Sequence, residues 1–122
     1  MEKKRLDLVL KLPPSLNSAF RNVKINLRIP TLKAKEWTRE SILITKREIF
    51  KQSWIKTDKK TVMEIRFFWK DKRKHDCDNY LKVMNDSFNG LIWIDDSQCL
   101  PRVIDFQIDP KNPRVELSFY EL

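Results

Sequence analysis

The chain has 122 residues, room for one compact domain, and 41% of them are hydrophobic, enough for a packed core and too many for wholesale disorder. Its 25 Lys and Arg outnumber 17 Asp and Glu, a formal net charge of +8, so an anionic partner such as nucleic acid is expected. No run has transmembrane length, residues 1–12 lack a signal-type apolar region, and the single glycine, Gly90, excludes the glycine-rich cradles of Walker and dinucleotide sites.

Residues 5–12 alternate, with Leu6, Leu8, Leu10 and Leu12 on one side, and predict a strand ended by Pro13-Pro14. Residues 15–33 read as a long loop, polar and basic around Phe20, carrying Asn17, Arg21, Asn22, Lys24, Asn26 and Arg28. Residues 34–55 hold neither Gly nor Pro and predict a helix. Trp37, Ser41, Ile44, Glu48 and Ile49 trace its inner stripe, which Ile42, Leu43, Phe50 and Trp54 widen; Lys35, Arg39, Lys46, Arg47 and Lys51 mark its solvated face.

Residues 61–69 alternate again, with Met63, Ile65, Phe67 and Trp69 opposite Glu64 and Arg66, and lead into the basic turn 70–74. A second helix is expected from Asp78, with Leu81, Met84, Phe88 and Leu91 at helical spacing and Asn89-Gly90 as its stop. Strands are expected over 103–108 and 114–120, paired as a hairpin through the turn-rich segment 109–113. The order β-α-β-α-β-β predicts a single two-layer α+β domain, a mixed sheet with helices packed on one face.

The chemistry concentrates in residues 72–82 and in Asp95-Asp96. Asp76 and Asp78 are two residues apart, a spacing that points both side chains one way in an extended segment; Asp78 also suits the N-cap of the following helix. Asp95 and Asp96 follow that helix, where the returning chain can bring one of them to the first pair. Three converging carboxylates are hard oxygen ligands suited to Mg²⁺ or Mn²⁺, and a basic surface holding such a cation against phosphate is nuclease chemistry. Lys82 lies one helical turn beyond Asp78, placed to offset surplus charge. Lys72, Arg73 and Lys74, with Asn17, Arg21 and Asn79, are candidate DNA contacts.

Each residue also has a purely structural reading. The Asp pair can be a cap and a surface ion, Lys82 an i,i+4 partner of Asp78, Asp95-Asp96 a turn, His75 a solvated neighbour, and Trp69 and Trp93 core. Cys77 is expected to point inward. With Cys99 and His75 it makes only three soft ligands, one short of a structural zinc site, and reduced thiols fit a cytoplasmic protein.

Three segments together carry a family resemblance: the first strand running into Leu12-Pro13-Pro14-Ser15-Leu16-Asn17, then Asp76-Cys77-Asp78-Asn79 with Lys82, then Trp93-Ile94-Asp95-Asp96-Ser97-Gln98. In order and spacing the chain resembles the RusA-type Holliday junction resolvases, small dimeric endonucleases, often prophage-borne, that resolve four-way DNA junctions in recombination and repair. The resemblance implies that Asp76, Asp78 and Asp96 bind the metal, with Asp95 as second choice, and that Lys82 is the essential basic residue. It further implies Mg²⁺-dependent phosphodiester hydrolysis (Mn²⁺ substituting), no small-molecule cofactor, no membrane, and a homodimer cutting opposed strands. Cys77 replaces the more usual aliphatic residue between the acids, and residues 13–33 match weakly beyond their start. The alternatives are a non-catalytic basic nucleic-acid-binding protein and a nuclease for other branched DNA or RNA.

Overall fold

The structure, a computed structural model, describes residues 4–15, 20–24 and 27–122, with backbone alone for 20–24 and 27–30. Along the chain run β1 (Arg5–Leu10), β2 (Phe20–Lys24), β3 (Leu27–Pro30), α1 (Leu32–Gln52), β4 (Thr61–Trp69), α2 (Asp78–Phe88), a single 3₁₀ turn (Asp96–Gln98), β5 (Cys99–Ile108) and β6 (Arg114–Glu121). The fold is α+β, a four-stranded mixed sheet with two helices, in the expected β-α-β-α-β-β order. The addition is a small antiparallel pair, β2 with β3, where the sequence reads as loop. Helix α1 also starts at Leu32, two residues earlier than expected, because the Thr31 side chain accepts from the Ala34 amide and caps it.

The sheet order is β1-β6-β4-β5, which overturns the expected hairpin. Strand β4 lies between β5 and β6, parallel to the first and antiparallel to the second. It takes the centre because it is apolar on one whole face and buries Val62 on the other. Helix α2 is the crossover that parallel neighbours require, and the segment between β5 and β6 passes over the end of β4, where the Asp109 amide donates to the Trp69 carbonyl at 2.8 Å.

One face of the sheet carries the core. Leu6, Leu8 and Leu10 of β1, Val115, Leu117 and Phe119 of β6, and Met63, Ile65, Phe67 and Trp69 of β4 are all buried against Trp37 of α1 and Val83, Met84 and Phe88 of α2. Each such side chain contributes about 1.5–3 kcal/mol of transfer free energy. Ile92 and Trp93 close the far end beneath α2. The inner stripe of α1 is narrower than its sequence suggests. Ala34, Trp37, Ser41 and Thr45 are buried, whereas Leu43 (64% exposed) and Phe50 (87%) face out. Small residues at this contact let α1 sit close to β1, and among the described residues no second layer lies beyond it to take up the wider apolar set.

The two sheet edges differ. On β1 the Gln52 side chain accepts from the Asp7 amide and donates to its carbonyl, both at 2.8 Å, so α1 completes part of that strand's open edge. Strand β5 has no buried residue at all, and Val103 (41%), Ile104 (46%), Phe106 (64%) and Ile108 (46%) are exposed along it.

Candidate active site

The end of β4 delivers the chain through residues 70–77 into α2. That connection has no glycine, and side-chain hydrogen bonds hold it. Asp71 Oδ1 accepts from the Arg73 amide at 3.0 Å and lies 3.1 Å from His75 Nε2, contacts that hold the Asp71 carboxyl below the ordinary carboxylate range, the amide foremost. The His75 ring stacks on Trp69, centroids 4.3 Å apart and planes 15° from parallel, and its Nδ1 lies 3.4 Å from the Tyr80 hydroxyl. His75 is thus packed, its side chain only 19% exposed, rather than the solvated neighbour expected.

Asp76 and Asp78 stand exposed at the entry to α2. The sequence suggests Asp78 as the cap, but Cys77 holds the N-cap position and offers no side-chain cap bond; Asp76 closes the turn just before it, its Oδ1 accepting from the Asp78 amide at 3.0 Å and its carbonyl from the Asn79 amide at 3.0 Å. Asp78 becomes the first residue of the helix, where the exposed amides favour a negative charge. Cys77 between them is half-buried against the core; burial, then the charges of Asp76 and Asp78, push its thiol pKa up.

Asp95 and Asp96 part company. Asp95 caps the 3₁₀ turn: its Oδ2 accepts from the Ser97 hydroxyl at 2.6 Å and the Ser97 amide at 3.3 Å, while Gln98 Oε1 accepts from the Asp95 amide at 3.0 Å. Those Ser97 contacts hold the Asp95 carboxyl below the ordinary range. Asp96 is half-buried and its charge bears on Cys99, whose pKa burial pushes up to about 12, burial being the larger cause. Cys99 Sγ lies 4.0 Å from Asn85 Oδ1, so the turn bearing Asp96 borders the stripe of α2 that begins at Asp78. Seven helical residues separate Asp78 from Asn85, about 10 Å along the axis.

The structure therefore brings Asp76 and Asp78 together and carries Asp96 on a separate 3₁₀ turn that borders α2. Among the described residues no three His, Cys, Asp or Glu side chains group closely enough to hold a metal ion. The donor chemistry still suits one cation class: the carboxylates are hard oxygen ligands for Mg²⁺ or Mn²⁺. Lys82 extends to Asp86 at 3.4 Å, away from Asp78. Lys72, Arg73 and Lys74 are exposed beside the acids, with Arg73 4.0 Å from Asp71. Asn79 is half-buried. Asn17 lies outside the described residues, and Arg21 is described only as backbone in β2. Sequence reasoning missed Asp71 and Tyr80; their signal is the Asp-x-Arg turn and an aromatic residue two positions past Asp78, in the first turn of α2.

Fold and site define a small α+β protein that sets paired aspartates beside a basic loop where its second helix begins. The profile of the family described as Endodeoxyribonuclease RusA matches residues 11–120, nearly the whole chain. The chain belongs to that family, as its three motif segments suggest, and is by that membership an endodeoxyribonuclease, a hydrolase. No curated protein matches it. Among the described residues no helix is long and apolar enough to cross a membrane.

Proposed function

We propose that this chain cuts four-way DNA junctions by paired, symmetric phosphodiester hydrolysis in recombination and repair, using a divalent metal, Mg²⁺ first and Mn²⁺ in its place. The observation that carries this reading is the pair Asp76 and Asp78, exposed at the start of α2 and bordered by Lys72, Arg73 and Lys74, in a chain of +8 net charge that matches the family over residues 11–120. Asp76, Asp78 and Asp96 are the residues that would hold the cation, with Asp95 second because its carboxylate is engaged in a cap. When bound, the metal supplies phosphoryl polarisation and a water of lowered pKa. Lys82, released from Asp86, offsets charge on the phosphate, and Lys72, Arg73 and Lys74, with Asn17, Arg21 and Asn79, contact the DNA backbone.

Two opposed cuts need two sites, so the working form is a homodimer in the cytoplasm. The test is incubation of purified protein with a synthetic four-way junction and Mg²⁺, beside Asp78→Asn. Paired symmetric cuts that the variant loses by at least about 100-fold are expected; no cutting, or equal cutting by the variant, sinks the reading.

A non-catalytic DNA-binding role is the second reading, favoured by one observation: Asp76 closes the turn before α2, Asp95 caps the 3₁₀ turn, and Lys82 is a surface ion-pair partner. It requires binding that weakens steeply with salt and needs no metal. Comparing flaps, forks and RNA with the four-way junction separates the remaining substrate alternatives.

A further inference from the structure

We infer that His75 is the positioning residue of this site: it fixes the backbone that carries Asp76 and Asp78 without itself touching DNA or metal. The inference rests on the endonuclease reading for its consequence, though not for its geometry.

The two carboxylates are exposed, so packing of their own side chains does not hold them. What precedes them is held. Trp69, the last residue of β4, is buried and offers its indole as a flat seat for the imidazole. Asp71, at the start of the connection, meets Nε2, and Tyr80, in the first turn of α2, meets Nδ1. One ring thereby joins the strand end, the loop and the helix start, and it is bonded through the chain to Asp76. Phe67 extends the seat, stacked on Trp69 at 4.6 Å.

The donor and acceptor count closes. A neutral imidazole carries one N–H and one lone pair. In the tautomer with Nε2–H donating to the Asp71 carboxylate, Nδ1 accepts from the Tyr80 hydroxyl and each ring nitrogen has a partner. A satisfied, half-buried network specifies one arrangement, and here that arrangement sets the direction in which the acid pair leaves the loop. Outer residues that orient ligands in this way change metal affinity by about 10–100-fold when removed.

The test compares His75→Ala, which removes stack and hydrogen bonds, with His75→Gln, whose amide can still donate to Asp71. In the metal-free protein, hydrogen exchange at the amides of Asp78 and Asn79 is expected to quicken by about tenfold or more in the Ala variant and to recover in the Gln variant. Calorimetric titration with Mn²⁺ alone is expected to show affinity at least about tenfold weaker for Ala and near wild type for Gln. In junction cleavage the Mg²⁺ needed for half-maximal rate rises in parallel, while KM for DNA stays put. Unchanged exchange in His75→Ala overturns the inference whether or not the wild type cuts DNA. Loosened exchange in His75→Ala beside a wild type that cuts no junction sinks the endonuclease reading and leaves the positioning intact. Should the Ala variant fail to fold, Asp71→Ala decides, with faster exchange expected and unchanged exchange overturning.

Discussion

The Asp76 carboxylate accepts the backbone amide of Asp78 at 3.0 Å, so one acid of the pair holds the other in place. This gives Asp76 two separable duties, closing the turn before α2 and serving as a proposed metal ligand. Asp76→Asn keeps an acceptor oxygen for the amide and loses the charge; Asp76→Ala loses both. We expect Asn to leave stability near wild type and Ala to lower it by about 1 kcal/mol in urea unfolding. Both should lose Mg²⁺-dependent cleavage. An Asn variant that cuts at the wild-type rate removes Asp76 from the metal-binding set.

Asp95 and Asp96, adjacent in the chain, should fail differently. Asp95→Ala dismantles the reciprocal cap with Gln98, whose amide also donates to the Thr57 carbonyl at 2.9 Å and the Lys59 carbonyl at 3.0 Å, tying the turn to the start of β4. Its melting temperature should fall by a few degrees with much activity retained below that point. Asp96→Ala should melt near wild type yet lose cleavage by at least about 100-fold. The reverse pattern in thermal melts and cleavage assays would exchange their roles.

What the sequence made legible follows from where periodicity dominates. The alternation of Met63, Ile65, Phe67 and Trp69 and the spacing of Met84 and Phe88 come from one buried face each, and the structure buries all six. Strand pairing is a matter of partners, and no local pattern reveals that β4 enters between β5 and β6. Exposure of Leu43 and Phe50 depends likewise on what packs beyond α1, which lies outside any helical wheel. Asp76 and Asp78 were readable because they neighbour each other in the chain. The stack of His75 on Trp69 was not, because six residues of loop must fold back to make it.

Acid should weaken the fold through carboxylates far from the core. Asp109 Oδ2 accepts from Arg114 Nη1 at 2.8 Å, and this bond chiefly holds its pKa below the ordinary range; the Asp71 and Asp95 carboxyls are lowered as well. A carboxylate whose folded pKa is depressed adds stability above its unfolded value, and that stability is lost as pH falls through the folded value. Melting temperature should therefore decline as pH drops through about 4 and below. Asp109→Asn should melt lower at neutral pH and show a shallower acid slope. An identical slope in thermal melts across that range would show the Arg114 contact to be immaterial.

The exposed edge at β5 bears on the proposed homodimer. Arg102 and Asp105 bracket Val103 and Ile104, and a register shift against β4 after Ile65 makes Ile104 an extra, bulged residue. An antiparallel copy centred on that bulge sets each copy's Arg102 against the other's Asp105 and joins the two rows of Val103, Phe106 and Ile108 across the seam. Pro101, lacking an amide, and the bulge itself interrupt a continuous ladder, which favours a closed pair over an open-ended sheet. Phe106, 64% exposed, is the residue to change. Phe106→Glu puts a charge into this apolar row and should convert a dimer into a monomer in sedimentation at micromolar concentration, with cleavage reduced to unpaired nicks. Asp105→Arg should weaken the dimer, and Arg102→Asp combined with it should restore it. A monomeric wild type that still makes paired cuts would remove the second copy from the reading, and a dimer indifferent to all three variants would move it to another face.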